Sequence, residues 1–107
     1  MVKYIFPGGE IPFPEDYITT SAGLFCLEDM HNVGYSYVNT LKSWLANFEK
    51  AWPELEATYG PQVQGRFYRM WRYYLCISAG CFEARLTQIY QVVQHKKGVP
   101  GGYVSVR

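Results

Sequence analysis

Glu28-Asp29-Met30-His31 places two carboxylates and an imidazole at the end of an apolar run, Leu24-Phe25-Cys26-Leu27. Read as a strand over 24–30 buried on both faces, the run presents those groups at a strand end, where open α/β sheets take ligands. The plainer reading, which carries more weight, is strand-end capping and a satisfied turn over His31-Asn32-Val33-Gly34. His95 lies far along the chain, and neither histidine has a cysteine or carboxylate at a metal-ligand spacing. Three cysteines, Cys26, Cys76 and Cys81, form no CxxC pair. Their odd number reads as reduced thiols of a cytosolic protein, with Cys76 and Cys81 packed as small apolar side chains. No serine or cysteine triad is recognisable, and Gly8-Gly9 lacks the strand–turn–helix frame of a phosphate or dinucleotide loop.

The aromatic residues say more. They make up 18% of the chain, with ten Tyr, six Phe and three Trp. Tyr37 and Leu41 fall one helical turn apart, and Tyr74, Ser78 and Phe82 fall at successive turns of a later helix. If the two helices are neighbours, these faces either line an apolar slot with two phenol hydroxyls, suited to an acyl chain, or form plain helix–helix core. Pattern alone favours core.

The elements that must position these residues follow from periodicity and punctuation. Tyr4-Ile5-Phe6 runs into a turn at Pro7-Gly8-Gly9, and Ile11-Pro12-Phe13-Pro14 stays extended. Glu15 to Ala22 reads as a weak helix stopped by Gly23, followed by the strand. Ser36 or Gly34 caps a helix whose stripe is Tyr37, Leu41, Trp44, Leu45, Phe48 and Trp52. Pro53 starts a short second helix through Ala57, and Gly60-Pro61 breaks the chain. Gln62 to Ala84 is the longest periodic stretch, with Gly80 predicting close packing. Thr87 to Gln94 alternates as a strand, and Lys96 to Gly102 reads as a mobile tail. Two strands alone make a marginal sheet, so the pattern predicts a piece of something larger.

Composition narrows the function classes. The 107 residues fit one domain, and 49% hydrophobic residues supply a core. A net charge of +1 argues against nucleic-acid binding. The start, Met1-Val2-Lys3, lacks the apolar stretch of a signal peptide, and no apolar run approaches membrane-spanning length.

Specific segments carry a family resemblance. Tyr4-Ile5-Phe6-Pro7-Gly8-Gly9 with Ile11-Pro12 resembles the YIFPGG-x-LP segment of cyclopropane-fatty-acyl-phospholipid synthases. Glu28-Asp29-Met30-His31-Asn32-Val33-Gly34 with Tyr37-x-x-Thr40-Leu41-x-x-Trp44 resembles their EDxHNxG…Y-x-x-TL-x-x-W run. Ala51 to Leu55, Phe67 to Leu75 and Gln88 to Val93 follow in the same order. The resemblance is to the C-terminal part of these enzymes and covers essentially the whole chain.

The resemblance implies an α/β chain, the C-terminal portion of a Rossmann-like class I methyltransferase fold, with two sheet strands plus helices that cover the acyl pocket. The strand at 24–30 would be the sixth of seven, and 87–94 the antiparallel seventh. It implies transfer of a methylene carbon from S-adenosylmethionine to the cis double bond of an unsaturated phospholipid acyl chain. By the same resemblance Tyr37 is catalytic, its hydroxyl helping to bind a (bi)carbonate that acts as general base. Phe6, Leu41, Tyr74, Ser78 and Phe82 match positions facing the acyl channel, with Ser78 standing where many relatives have Cys. The cofactor-binding half, its glycine-rich loop and the N-terminal domain are expected upstream and are not in this sequence, so the isolated chain is expected to be inactive. The expected partners are phospholipid acyl chains and a transient membrane surface, reached from the cytoplasm at the inner membrane; a homo-oligomer is left open. The competing reading is a free-standing, non-catalytic module that binds lipid or pairs with a subunit.

Overall fold

The computed structural model describes residues 4–107; Met1 to Lys3, where the signal-peptide reading begins, lie outside the described residues. The chain divides into two units, one built from residues up to His31 together with Tyr90–Arg107, the other from Asn32–Ile89.

In the first unit, α1 spans Pro14–Ser21. Pro14 stands at its start, where a missing N–H costs nothing, and Glu15 and Asp16 occupy the positive end of the helix dipole. The Asp16 carboxylate accepts the Phe13 N–H at 3.1 Å. Thr19, Thr20 and Ser21 turn their hydroxyls back onto the carbonyls of Glu15, Asp16 and Tyr17, so these hydroxyls are satisfied within the helix, while the Ser21 carbonyl accepts the N–H groups of Leu24 and Phe25. Gly23 then takes a φ of 79°, a left-handed turn that side-chain-bearing residues resist. No α1 residue is buried. It is tied to the sheet by polar groups: the Tyr17 hydroxyl donates to Gln94 Oε1, and Gln94 Nε2 donates to Ser21 Oγ.

Strand β1 spans Cys26–Asn32 and pairs antiparallel with β2, Tyr90–His95. The strand lies two residues later than the predicted 24–30, so His31 and Asn32 extend the ladder instead of forming the turn. Nor is it buried on both faces: Leu24, Phe25 and Leu27 are exposed. A two-stranded sheet offers few neighbours to cover side chains that alternate across it. The predicted mobile tail is instead fastened to β1. Gly98 turns the chain with a φ of 78°, Val99 donates its N–H to the Glu28 carboxylate at 2.7 Å, and Arg107 pairs with Asp29.

The second unit is a pair of helices. Helix α2 spans Tyr37–Tyr59. Ser36 is its N-cap residue but makes no side-chain cap bond; the first N–H groups go to the carbonyls of Gly34, Tyr35 and Ser36 instead. Pro53 lies inside α2 rather than beginning a second helix. An interior proline costs about 3 kcal/mol, but Trp52 packs on Tyr68 of the next helix at 4.7 Å, and a break at Pro53 would pull that contact apart. A single 3-10 turn at Gly60–Gln62 ends α2, and α3 follows over Arg66–Glu83, starting four residues later than the periodicity predicts. Leu41, Leu75 and Ala79 form the buried centre between the helices, with Tyr37, Leu45, Phe48, Tyr74 and Phe82 packed around it. Gly80 is exposed with open space at its Cα, so the close packing predicted there does not occur. Cys76 is likewise exposed, because Leu75 and Ala79 take the inward positions and Cys76 is rotated about 100° from Leu75; Cys81 is half-buried.

Candidate functional site

The helix pair brings together most of the residues singled out in the sequence. Leu41, 2% exposed, sits at its centre against Leu75 and Ala79. Tyr37, the first residue of α2, lies one turn before Leu41; Tyr74 and Phe82 reach the same cluster from α3. The Tyr37 ring is edge-on to Phe82, centroids 5.2 Å apart at 63°, and edge-on to Trp44 at 5.7 Å and 80°. Its hydroxyl makes no hydrogen bond among the described residues, and the ring is half-buried. Ser78 lies half-buried one turn before Phe82. Phe6 belongs to the other unit, in a turn where its carbonyl accepts the Gly9 N–H, and is exposed.

Away from Leu41, the interface becomes a ladder of rings. Phe48 stacks on Tyr68 at 5.6 Å, Trp52 meets Phe67 at 6.5 Å, and Trp71 meets Tyr74 edge-on at 5.7 Å. A cavity of about 370 Å³ opens there, lined by Phe48, Leu55, Tyr59, Val63, Phe67 and Trp71. None of the predicted slot residues lines it. Leu41 is packed side chain to side chain, and this cavity lies toward the far end of the pair.

Electrostatics here are slight. Arg72 Nε donates to the Glu49 carboxylate at 3.0 Å, and that bond raises the guanidinium pKa further above its ordinary value. Both partners are exposed, so solvent screens the pair. Glu28 and Asp29 lie within β1 rather than at its end, and they hold the tail instead of capping the strand as the sequence favoured. His95 Nδ1 accepts the Lys97 N–H. No cluster of three metal-ligating side chains occurs among the described residues, and no described helix is long and apolar enough to cross a membrane.

Trp44 meets the Tyr37 ring without having been among the site residues that the sequence singled out. It was read as part of the apolar stripe, although its spacing of seven from Tyr37 already put both rings on one face of α2.

The family model of the mycolic acid cyclopropane synthetases matches residues 1–92. The chain belongs to that family. It is 43% identical over 100 residues to the cyclopropane-fatty-acyl-phospholipid synthase of Escherichia coli (strain K12), a match covering 94% of this chain and 25% of the relative. A protein of the same name from Citrobacter freundii is 44% identical over 82 residues, covering 77% of this chain and 86% of that sequence. Sphingolipid C9-methyltransferase A of Emericella nidulans is 27% identical over 113 residues, covering 96% of this chain and 21% of the relative. This family member therefore spans about a quarter of the length of the E. coli relative it matches.

Proposed function

We propose that this chain is the C-terminal part of the catalytic domain of an S-adenosylmethionine-dependent cyclopropane synthase acting on unsaturated phospholipid acyl chains. In this reading the domain is Rossmann-like, with β1 and β2 as its last two strands and the α2–α3 pair as the cover of the acyl pocket. The observation that carries it is the gathering of Tyr37, Tyr74 and Phe82 around Leu41 in a chain of this family. A cyclopropane product is favoured over a methyl branch because identity is 43–44% to the cyclopropane synthases and 27% to the sphingolipid methyltransferase.

S-adenosylmethionine needs a loop that cradles its amino-acid end. Among the described residues there is no glycine-rich strand–turn–helix segment, so these residues do not fit that cofactor. Bicarbonate is a different case. The Tyr37 hydroxyl, unbonded among the described residues on a half-buried ring, fits a donor to an oxyanion. When bound, bicarbonate would supply a proton acceptor for ring closure. The part of this chain is to hold it through the Tyr37 O–H, while the half-buried Tyr74, Ser78 and Phe82 supply apolar or weakly polar walls to the acyl chain and Leu41 backs them from the buried centre. Rings near the site would also favour developing positive charge by about 0.5–2 kcal/mol each. The acyl chains belong to phospholipid, so the enzyme would work from the cytoplasm against the inner membrane surface.

The test is a splice. This sequence replaces the matching quarter of the E. coli relative, and the product is read as mass gain in the acyl chains of unsaturated phospholipid vesicles. Cyclopropane from the spliced enzyme, with none from the 107-residue chain plus S-adenosylmethionine, supports the reading. A spliced enzyme that folds and binds S-adenosylmethionine but leaves the acyl chains unchanged overturns it in favour of the non-catalytic lipid-binding module.

A further inference from the structure

Tyr37 occupies an unusual position for a residue whose hydroxyl must be aimed. It is the first residue of α2, its N-cap Ser36 contributes no side-chain bond, and no hydrogen bond among the described residues holds its hydroxyl. A helix start frays more readily than a helix interior. What fixes the ring is therefore its packing on the Leu41 cluster together with its ring neighbours. Phe82 approaches from α3 at 63°, and Trp44 approaches from two turns along α2 at 80°. Two aromatic partners at steep angles, one on each helix, restrict both the swing and the rotation of the phenol, because edge-to-face pairs favour a narrow range of angle and separation.

Trp44 has no other evident duty. It is 46% exposed and lies outside the buried cluster of Leu41, Leu75 and Ala79. Its one ring contact among the described residues is Tyr37. The buried half of the indole contributes apolar area, and the ring it meets there is that of Tyr37. We infer that Trp44 is a positioning residue: with Phe82 it holds the Tyr37 phenol in the orientation that binds the oxyanion. The inference rests on the proposed role of Tyr37, through which Trp44 acts.

Two readouts separate this inference from the reading on which it rests. The first needs no turnover. In the spliced enzyme labelled with 13C-tyrosine and 13C-methyl leucine, the Tyr37 ring signals are assigned by their loss in Tyr37→Phe. Stacked edge-on against an indole, they are expected to lie away from free-tyrosine positions. Trp44→Leu moves them toward those positions while the methyl signals of Leu41 stay put; Trp44→Phe, which keeps a ring, retains most of the displacement. Unmoved Tyr37 signals in Trp44→Leu overturn the inference. If Trp44→Leu does not fold, Trp44→Phe decides it by the same criterion, since a smaller ring reduces the displacement and an irrelevant one does not.

The second readout is kinetic, in the spliced enzyme. Trp44→Leu lowers kcat about 10-fold with KM for phospholipid unchanged, as expected of a misaimed group; an equal kcat overturns the inference. Should Tyr37→Phe itself leave turnover intact, the catalytic reading of Tyr37 fails, whereas the ring signals still report whether Trp44 holds the phenol.

Discussion

The phenol of Tyr37 and the ring of Phe82 meet edge-on across the helix interface, centroids 5.2 Å apart, with Leu41 fully buried beside them. One residue begins α2 and the other lies near the end of α3. The pairing therefore brings the start of one helix against the close of the next, and joins a polar hydroxyl to the apolar centre of the unit.

Leu41 is the keystone of that arrangement. It is 2% exposed, and its truncation leaves a void between Leu75 and Ala79 that flanking rings fill only partly. Leu41→Ala is expected to destabilise the chain by about 3 kcal/mol in urea denaturation, within the range for buried leucines. A loss below about 1 kcal/mol would mean that the helices do not pack as described.

Gly34 is required for space rather than for its backbone angle. A Cβ there would meet the Ile89 nitrogen at 3.0 Å, Gln88 Oε1 at 3.1 Å and Asn32 Oδ1 at 3.2 Å. The Asn32 side chain also accepts the Gly34 N–H and donates to Gln88, so the crowded atoms are already bonded. Gly34→Ala should therefore cost about 1–3 kcal/mol as overpacking. Gly80→Ala should instead be stabilising, since Gly80 is helical and faces open space. Thermal unfolding of the two variants side by side checks both signs.

Fastening of the tail can be seen by hydrogen exchange. The Val99 N–H is donated to the Glu28 carboxylate. Glu28→Ala removes the acceptor and is expected to speed exchange at Val99 by about 10-fold, the equivalent of one ordinary hydrogen bond. Glu28→Gln keeps an oxygen at the same place and should exchange at a rate between the two. Equal rates in all three would return the tail to the mobile state that its glycines predicted.

Much of the helical unit was legible in the sequence because a 3.6-residue stripe needs only one partner to bury it. Tyr37, Leu41 and Phe48 on α2, and Tyr74, Leu75 and Phe82 on α3, found each other as the pattern predicts. Local punctuation was less reliable where packing outweighed it. Pro53 reads as a helix start, yet the Trp52–Tyr68 contact carries α2 through it. The strand was misplaced because an apolar run predicts burial without saying what supplies the cover, and Leu24 and Phe25 lie outside the ladder. The tail was missed because its anchors, Glu28 and Asp29, are some 70 residues away in sequence. Trp44 escaped notice as a site residue because a tryptophan in an apolar stripe looks like core until its exposure is known.

The central claim is that this chain contributes a working Tyr37 to a cyclopropane synthase, and turnover of the spliced enzyme with Tyr37→Phe tests it most directly. Removing only the hydroxyl preserves the rings at Phe82 and Trp44, so the fold should be unchanged. The account predicts a fall in kcat of about 10²–10³-fold, the scale of losing one positioned proton-transfer element, with S-adenosylmethionine binding unaffected. A folded Tyr37→Phe enzyme that makes cyclopropane at the parent rate would contradict it.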